Sequence, residues 1–280
     1  MEKLFKTRTG QWATTAELAA ALKSVGAHDC QVLYMHTGLA FGTPNPDLRR
    51  TELLAAMYET IRASGVPTLC VPTFTFSFCN GEDYDLARSK SRMGALNEYI
   101  RQRPEAIRSV DPLMSVAMVG TDRELVENLG RESIGAHSTF DKLSRRDGVK
   151  FLFLGVLPGD CFTYMHHLEW RARVPYRYHR DFRGRITAGG RTYEDTYSLF
   201  VRYHGVTPNT ASHGYARRLE ERGILKSTGF GDHWLQCFPE PEARAAYLEI
   251  LGKDGNFFIE QPFQPNAADR TFEGSNMVSL

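Results

Sequence analysis

The chain lacks most of the features that mark a protein class at sight. Its five cysteines, Cys30, Cys70, Cys79, Cys161 and Cys237, are scattered and odd in number. None stands in a Cys-x-x-Cys spacing, which argues against a disulfide framework and against a structural zinc site. No apolar run approaches the roughly 18 residues of a membrane span. Residues 1–7 hold no apolar core of a signal peptide, so a cytoplasmic location is expected. Charge of one sign is missing too: 34 Lys and Arg face 33 Asp and Glu, a net charge of +1. A nucleic-acid partner would need a clustered basic excess. The locally basic stretches, 171–185 and Arg217-Arg218, read as solvated faces. There is no Gly-x-Gly-x-x-Gly and no Walker sequence, hence neither common phosphate cradle. His-Glu-x-x-His is absent as well. His166 and His167 are adjacent, so on a helix their rings point to different faces, a poor arrangement for chelating one metal. No metal is expected.

What is present is a 280-residue chain with 42% apolar residues, enough for a substantial core. Apolar runs at 31–36, 67–72, 116–119, 150–156 and 256–260 read as strands. Helical spacing appears from a capping signal at Thr14-Thr15-Ala16-Glu17, and at 52–63, 96–103, 124–129, 215–222 and 240–251. This alternation predicts an α/β fold: a central mixed, partly parallel sheet flanked by helices. Between about 176 and 205 the texture changes to apolar–polar alternation around Gly189-Gly190. That stretch reads as an antiparallel hairpin inserted into a single domain spanning 1–280. The tail after 265 is polar and expected to be mobile.

The most telling stretch is Thr163-Tyr164-Met165-His166-His167-Leu168-Glu169. It follows the apolar run 151–156 and a Pro158-Gly159-Asp160 turn, so it opens a helix just past a strand end, where open α/β sheets place ligands. Residues three apart share a helix face, which groups Thr163, His166 and Glu169. The imidazole can take a proton near neutral pH, the carboxylate can orient it, and the hydroxyl can meet a developing oxyanion. The plain alternative is a polar helix face. Cys161 stands close by in sequence, which leaves a Cys161–His166 hydrolase open as a rival chemistry. Asp160 reads as a turn residue that could support the site.

Further segments carry a resemblance. Met35-His36-Thr37-Gly38-Leu39 is similar to a strand-and-loop segment usually written His-Ser-Ser-Leu. Val71-Pro72-Thr73-Phe74-Thr75 matches Pro-Thr-Phe-Thr, and Met93-Gly94 with Glu98 matches Met-Gly-x-x-x-Glu. Arg108-Ser109, Asp111-Pro112 and Ser115 fall where Arg-Ser-x-His-Pro-x-x-Ser is usual. Ser138-Thr139-Phe140-Asp141-Lys142-Leu143 resembles Ser-Pro-Phe-Gly-Lys-Leu, and Thr163, His166 and Glu169 match Thr-x-x-His-x-x-Glu. Six segments in this order resemble the aminoglycoside 3-N-acetyltransferase family.

The resemblance implies an enzyme that moves an acetyl group from acetyl-coenzyme A to a primary amine of an amino sugar. His166 would be the general base, with Glu169 and Thr163 beside it. It implies cofactor contacts from His36, Thr37, Gly38, Leu39, Thr73, Met93, Gly94, Ser115 and Phe140. Substrate contacts would come from Asp85, Thr75 and His167, and a homodimer is compatible with it. Two departures stand out: the usual second-motif histidine is Asp111, and the usual Thr-His pair is Leu113-Met114. They shift the expected acceptor from aminoglycosides toward a smaller or nucleotide-linked amino sugar, and they leave a non-catalytic binding module as a third reading.

Overall fold

The structure, a computed structural model, describes residues 1–209 and 211–272. Its frame is a seven-stranded sheet with the strand Val32–Thr37 at its centre. Val32 through His36 are all buried, as a strand covered on both faces requires. It pairs in parallel with Val149–Leu154 on one side and Thr68–Pro72 on the other. Antiparallel strands extend both flanks. His233–Pro239 and then Lys226–Phe230 lie beyond Val149–Leu154, and Val116–Gly120 and then Ile107–Arg108 lie beyond Thr68–Pro72. The mixed, partly parallel sheet expected from the sequence is therefore present.

Side chains alternate along these strands into two cores. Tyr34, Cys70, Phe151 and Phe153 enter one; Leu33, Met35, Leu69, Leu152 and Leu154 enter the other. Helices Thr15–Ser24 and Arg50–Arg62 cover the second core through Leu18, Leu22, Leu53, Met57 and Ile61. The first starts on the expected capping box: Glu17 N–H donates to Thr14 Oγ1 at 3.3 Å, and Thr14 N–H donates to Glu17 Oε2 at 2.8 Å. Helices Tyr164–Ala172 and Glu240–Lys253 cover the first core through Tyr164, Leu168, Tyr247 and Ile250.

The expected hairpin is also there. Arg177–Ala188 pairs with Arg191–Arg202 through a two-residue turn at Gly189 and Gly190, whose φ angles are +57° and +75°. Two consecutive left-handed residues match the twist of the flanking strands. The short strand Tyr84–Asp85 runs parallel to Ile186–Thr187 near the tip.

Several expectations need correcting. Residues 256–260 form a turn, with Ile259 in a single bridge to Pro208. Asn209 Nδ2 donates to the carbonyls of Phe257 and Ile259, and Phe258 stacks on Tyr247 at 4.3 Å. The apolar residues pack against a helix rather than joining a sheet. The helix expected over 124–129 shortens to the 3-10 turn Arg123–Leu125. Lys142 Nζ takes the carbonyls of Glu124 and Glu127 at 2.6 Å each, which a longer helix would have used itself. Of the tail expected to be mobile, residues 270–272 touch the hairpin. Tyr178 Oη donates to the Arg270 carbonyl at 2.9 Å, and the Phe272 and Phe182 rings are 5.1 Å apart. Residues 273–280 of that expectation lie outside the described residues. Among the described residues no helix is long and apolar enough to cross a membrane, and no cluster of His, Cys, Asp and Glu could hold a metal ion.

Candidate active site

The site begins where Val149–Leu154 ends. Gly155 turns the chain at φ +70°. A Cβ there would meet Phe41 Cζ at 2.6 Å, and a Cβ on Gly38 would meet the Gly155 carbonyl oxygen at 2.7 Å. Two strand ends thus meet backbone to backbone, and only glycine fits. The chain then makes a short helix, Pro158–Cys161, and the helix Tyr164–Ala172. Arg173 ends the latter in the left-handed region at φ +53°, and Pro175 prevents its resumption. The chain turns straight into the hairpin, which returns Tyr176 and Arg177 to Glu169.

The result is a buried polar group. His166 Nδ1 lies 3.2 Å from Glu169 Oε2. Arg177 Nη2 lies 2.7 Å from that same oxygen and 2.8 Å from His166 Nδ1. Arg177 Nη1 donates to the Phe200 carbonyl at 2.9 Å, and Tyr176 Oη donates to Glu169 Oε1 at 2.8 Å. His166, Glu169 and Arg177 expose 3%, 2% and 6% of their surface, so these contacts act with little solvent screening. Burial raises the Glu169 carboxyl, but the Arg177 guanidinium and His166 overcome it and hold it down at about 2. Burial, then the Arg177 charge, pushes His166 down to about 4 against the pull of Glu169. The carboxylate is charged and the imidazole neutral at pH 7.

His166 and Arg177 form part of the wall of a cavity of about 340 Å³, with Met114, Phe200, Arg202 and Tyr203. Both protein contacts of the His166 ring are made at Nδ1, and no hydrogen bond among the described residues reaches its Nε2.

The other sequence-expected residues divide. Thr163 stands just before the helix without a capping bond; its hydroxyl donates to the Cys161 carbonyl at 3.3 Å, and the residue is not in the cavity wall. His36, Thr37, Gly38 and Gly94 are brought to one edge. Thr37 Oγ1 donates to Asn97 Oδ1 at 2.6 Å, and a Cβ on Gly94 would lie 3.5 Å from the Thr37 carbonyl. His36 stacks on Phe153 at 5.1 Å, its Nε2 is buried without a partner, and burial lowers its pKa to about 3. Leu39 and Met93 are half-buried, each packed against a core.

The remainder lie outside the cavity wall. Thr73 and Ser115 are fully buried and bonded to each other, Ser115 Oγ donating to the Thr73 carbonyl at 2.7 Å. Arg108 Nη2 donates to that carbonyl too, also at 2.7 Å. Thr75 donates to the Pro112 carbonyl at 3.0 Å. Phe140 is buried between Tyr34 and Tyr164 and offers a cofactor no surface. His167, expected at the substrate, is fully buried, with Nδ1 2.8 Å from the Ile134 carbonyl and its ring stacked on Trp170. Asp85 sits opposite Thr187, ten residues up the hairpin from Arg177, or about 30 Å of strand away. Its carboxylate accepts the N–H groups of Ala87 and Arg88. Asp160 lies in the short helix, consistent with a turn role.

Sequence reasoning missed Tyr176, Arg177 and Arg202. The stretch 171–185 was read as a solvated face, yet Arg177 is buried. The hairpin register held a usable signal. Counted outward from Gly189-Gly190, it sets Arg177 opposite Arg202 at the base.

A family model described as aminoglycoside 3-N-acetyltransferase matches residues 46–251. The chain belongs to that family, and with it to the N-acetyltransferases. No curated protein matches it in sequence. Its fold is shared with aminoglycoside acetyltransferase AAC(3)-Xa, at TM-score 0.73 and 20% identity over 85% of this chain and 92% of the other. It is shared also with AAC-IIIb in a binary complex with CoASH, at 0.73 and 20% over 86% and 97%. The YokD protein from Bacillus subtilis aligns at 0.70 and 16% over 90% and 96%.

Proposed function

We propose that this chain transfers the acetyl group of acetyl-coenzyme A to a primary amine of an amino sugar, with His166 as general base. The observation that carries this reading is the buried His166–Glu169–Arg177 group, two of whose members, His166 and Arg177, line a cavity. Two arrangements of that group are open. Arg177 has only donors, so at 2.8 Å its N–H points at the Nδ1 lone pair, and the ring proton then sits on Nε2. If the guanidinium gives its Nη2 hydrogens to Glu169 alone, Nδ1–H donates to Glu169 Oε2 and Nε2 is left as a base. The reaction uses the second arrangement. A pKa near 4 makes His166 a weak base. The amine becomes strongly acidic as its nitrogen bonds to the acetyl carbon, so a weak base placed there suffices.

Acetyl-coenzyme A supplies the activated acetyl group when bound. The edge formed by His36, Thr37, Gly38 and Gly94 fits its thioester arm, because the orphaned Nε2 of His36 is a buried polar atom that calls for a partner. Transfer is direct. Cys161 does not serve as a nucleophile: burial pushes its thiol far above the usual range, and it donates to the Leu157 carbonyl at 3.4 Å. Nor does Asp111 mark a decayed site. It accepts the N–H groups of Leu113 and Met114 and the Ser133 hydroxyl, fixing the loop that brings Met114 to the cavity.

A mass-spectrometric screen of amines with isotopically labelled acetyl-coenzyme A tests the reading. At least one amino sugar should gain the label, and acetyl-coenzyme A should raise the melting temperature by mass action. Folded protein that shows neither response contradicts it.

A further inference from the structure

The cavity beside His166 is cationic, and this bears on what enters it. Among the described residues its wall contains Arg177, Arg202 and His204 together with His166, and no aspartate or glutamate. The two arginines and His204 differ in what already holds them. Arg177 is occupied by Glu169, His166 and the Phe200 carbonyl. His204 lies 3.2 Å from Asp269. Arg202 stands opposite Arg177 at the hairpin base, and its side chain makes no hydrogen bond or ion pair among the described residues. Burial, and then the like charge of Arg177, lowers its pKa to about 10, with Glu169 pulling the other way. Glu169 can neutralise one of the two guanidinium groups, which leaves one positive charge at the cavity while His166 is neutral. A half-buried guanidinium in a cavity wall, with no carboxylate beside it, is free to answer an anionic ligand.

We propose that the acceptor carries a fixed negative charge, a phosphate or a carboxylate, beside its amine, and that Arg202 receives that charge. This rests on the acetyl-transfer reading above. The phosphates of coenzyme A do not account for Arg202, because the long pantetheine arm separates them from the thioester, whereas Arg202 shares its cavity with the base. A polycationic aminoglycoside would bring like charge to this wall. Planar guanidinium groups suit phosphate and carboxylate alike, since both accept two parallel N–H bonds.

The test is a matched set of acceptors: glucosamine, glucosamine 6-phosphate, glucosaminuronic acid and gentamicin. kcat/KM is measured with labelled acetyl-coenzyme A on wild type, Arg202→Gln and Arg202→Lys. One or both anionic sugars should exceed glucosamine by about tenfold or more, the scale of one charge-assisted hydrogen bond. The phosphate and uronate arms identify which anion is taken. Arg202→Gln should collapse that ratio toward one, chiefly through KM, and Arg202→Lys should restore part of it. Because the wild-type ratio is itself a test, a poorly folded variant does not shield the proposal. A wild-type ratio at or below one, with acetylation proceeding, overturns the anionic acceptor and leaves acetyl transfer standing. An Arg202→Gln loss that is equal for charged and uncharged sugars overturns it as well, by placing Arg202 at the reacting carbonyl. No transfer to any acceptor, with no binding of acetyl-coenzyme A, overturns both readings.

Discussion

The two ends of one hairpin carry similar ion pairs and put them in opposite surroundings. At the base, Arg177 meets Glu169 at 2.7 Å with both side chains at most 3% exposed. At the tip, Arg185 meets Asp83 at 2.6 Å with more than half of each side chain in water. The distances are nearly equal, so distance does not distinguish them. Burial does: water and salt weaken the tip pair, while the base pair holds a carboxylate charged and a histidine neutral inside the protein.

Breaking each pair from one side sharpens the contrast. Glu169→Gln leaves Arg177 buried without a counter-charge and should cost about 3–5 kcal/mol, read as a lower urea midpoint. Arg185→Ala should leave that midpoint within error. Equal effects at the two ends would mean that burial is not what separates them.

Acid should act on the buried histidines. His36, His166 and His167 are held down at about 3, 4 and 4 in the folded chain, chiefly by burial, against an ordinary 6.5. The unfolded chain therefore takes up protons first. Stability is fully present above about 6.5 and is lost as pH falls toward 4. Glu169, held at about 2 against an ordinary 4.5, adds a loss over the range below that. Melting temperature against pH should fall through this window, and His167→Gln should flatten the fall. A flat profile between pH 7 and 5 would contradict the buried neutral histidines.

The same contrast explains what was legible in the sequence. His166 and Glu169 are three apart on one helix, so local periodicity brought them together before any fold was known. The central strands were legible because their apolar runs are continuous. Arg177 was not, because its partner comes from a separate element and the other arginines of the stretch, such as Arg171, Arg173, Arg183 and Arg185, are exposed. The location of Asp85 was not legible for the complementary reason: it depends on pairing with Thr187, which no local pattern encodes. Lys226–Phe230 and His233–Pro239 escaped notice because a glycine-containing strand and half-buried residues blur the period.

The central claim is that His166, and not its neighbour, takes the proton. The most direct measurement is kcat for His166→Ala and His167→Ala with labelled acetyl-coenzyme A and a turned-over amine, alongside acetyl-coenzyme A binding. His166→Ala should lose about a hundredfold or more in kcat while still binding acetyl-coenzyme A, with Glu169→Gln intermediate and His167→Ala much less affected. An active His166→Ala beside an inactive, folded His167→Ala would contradict the account.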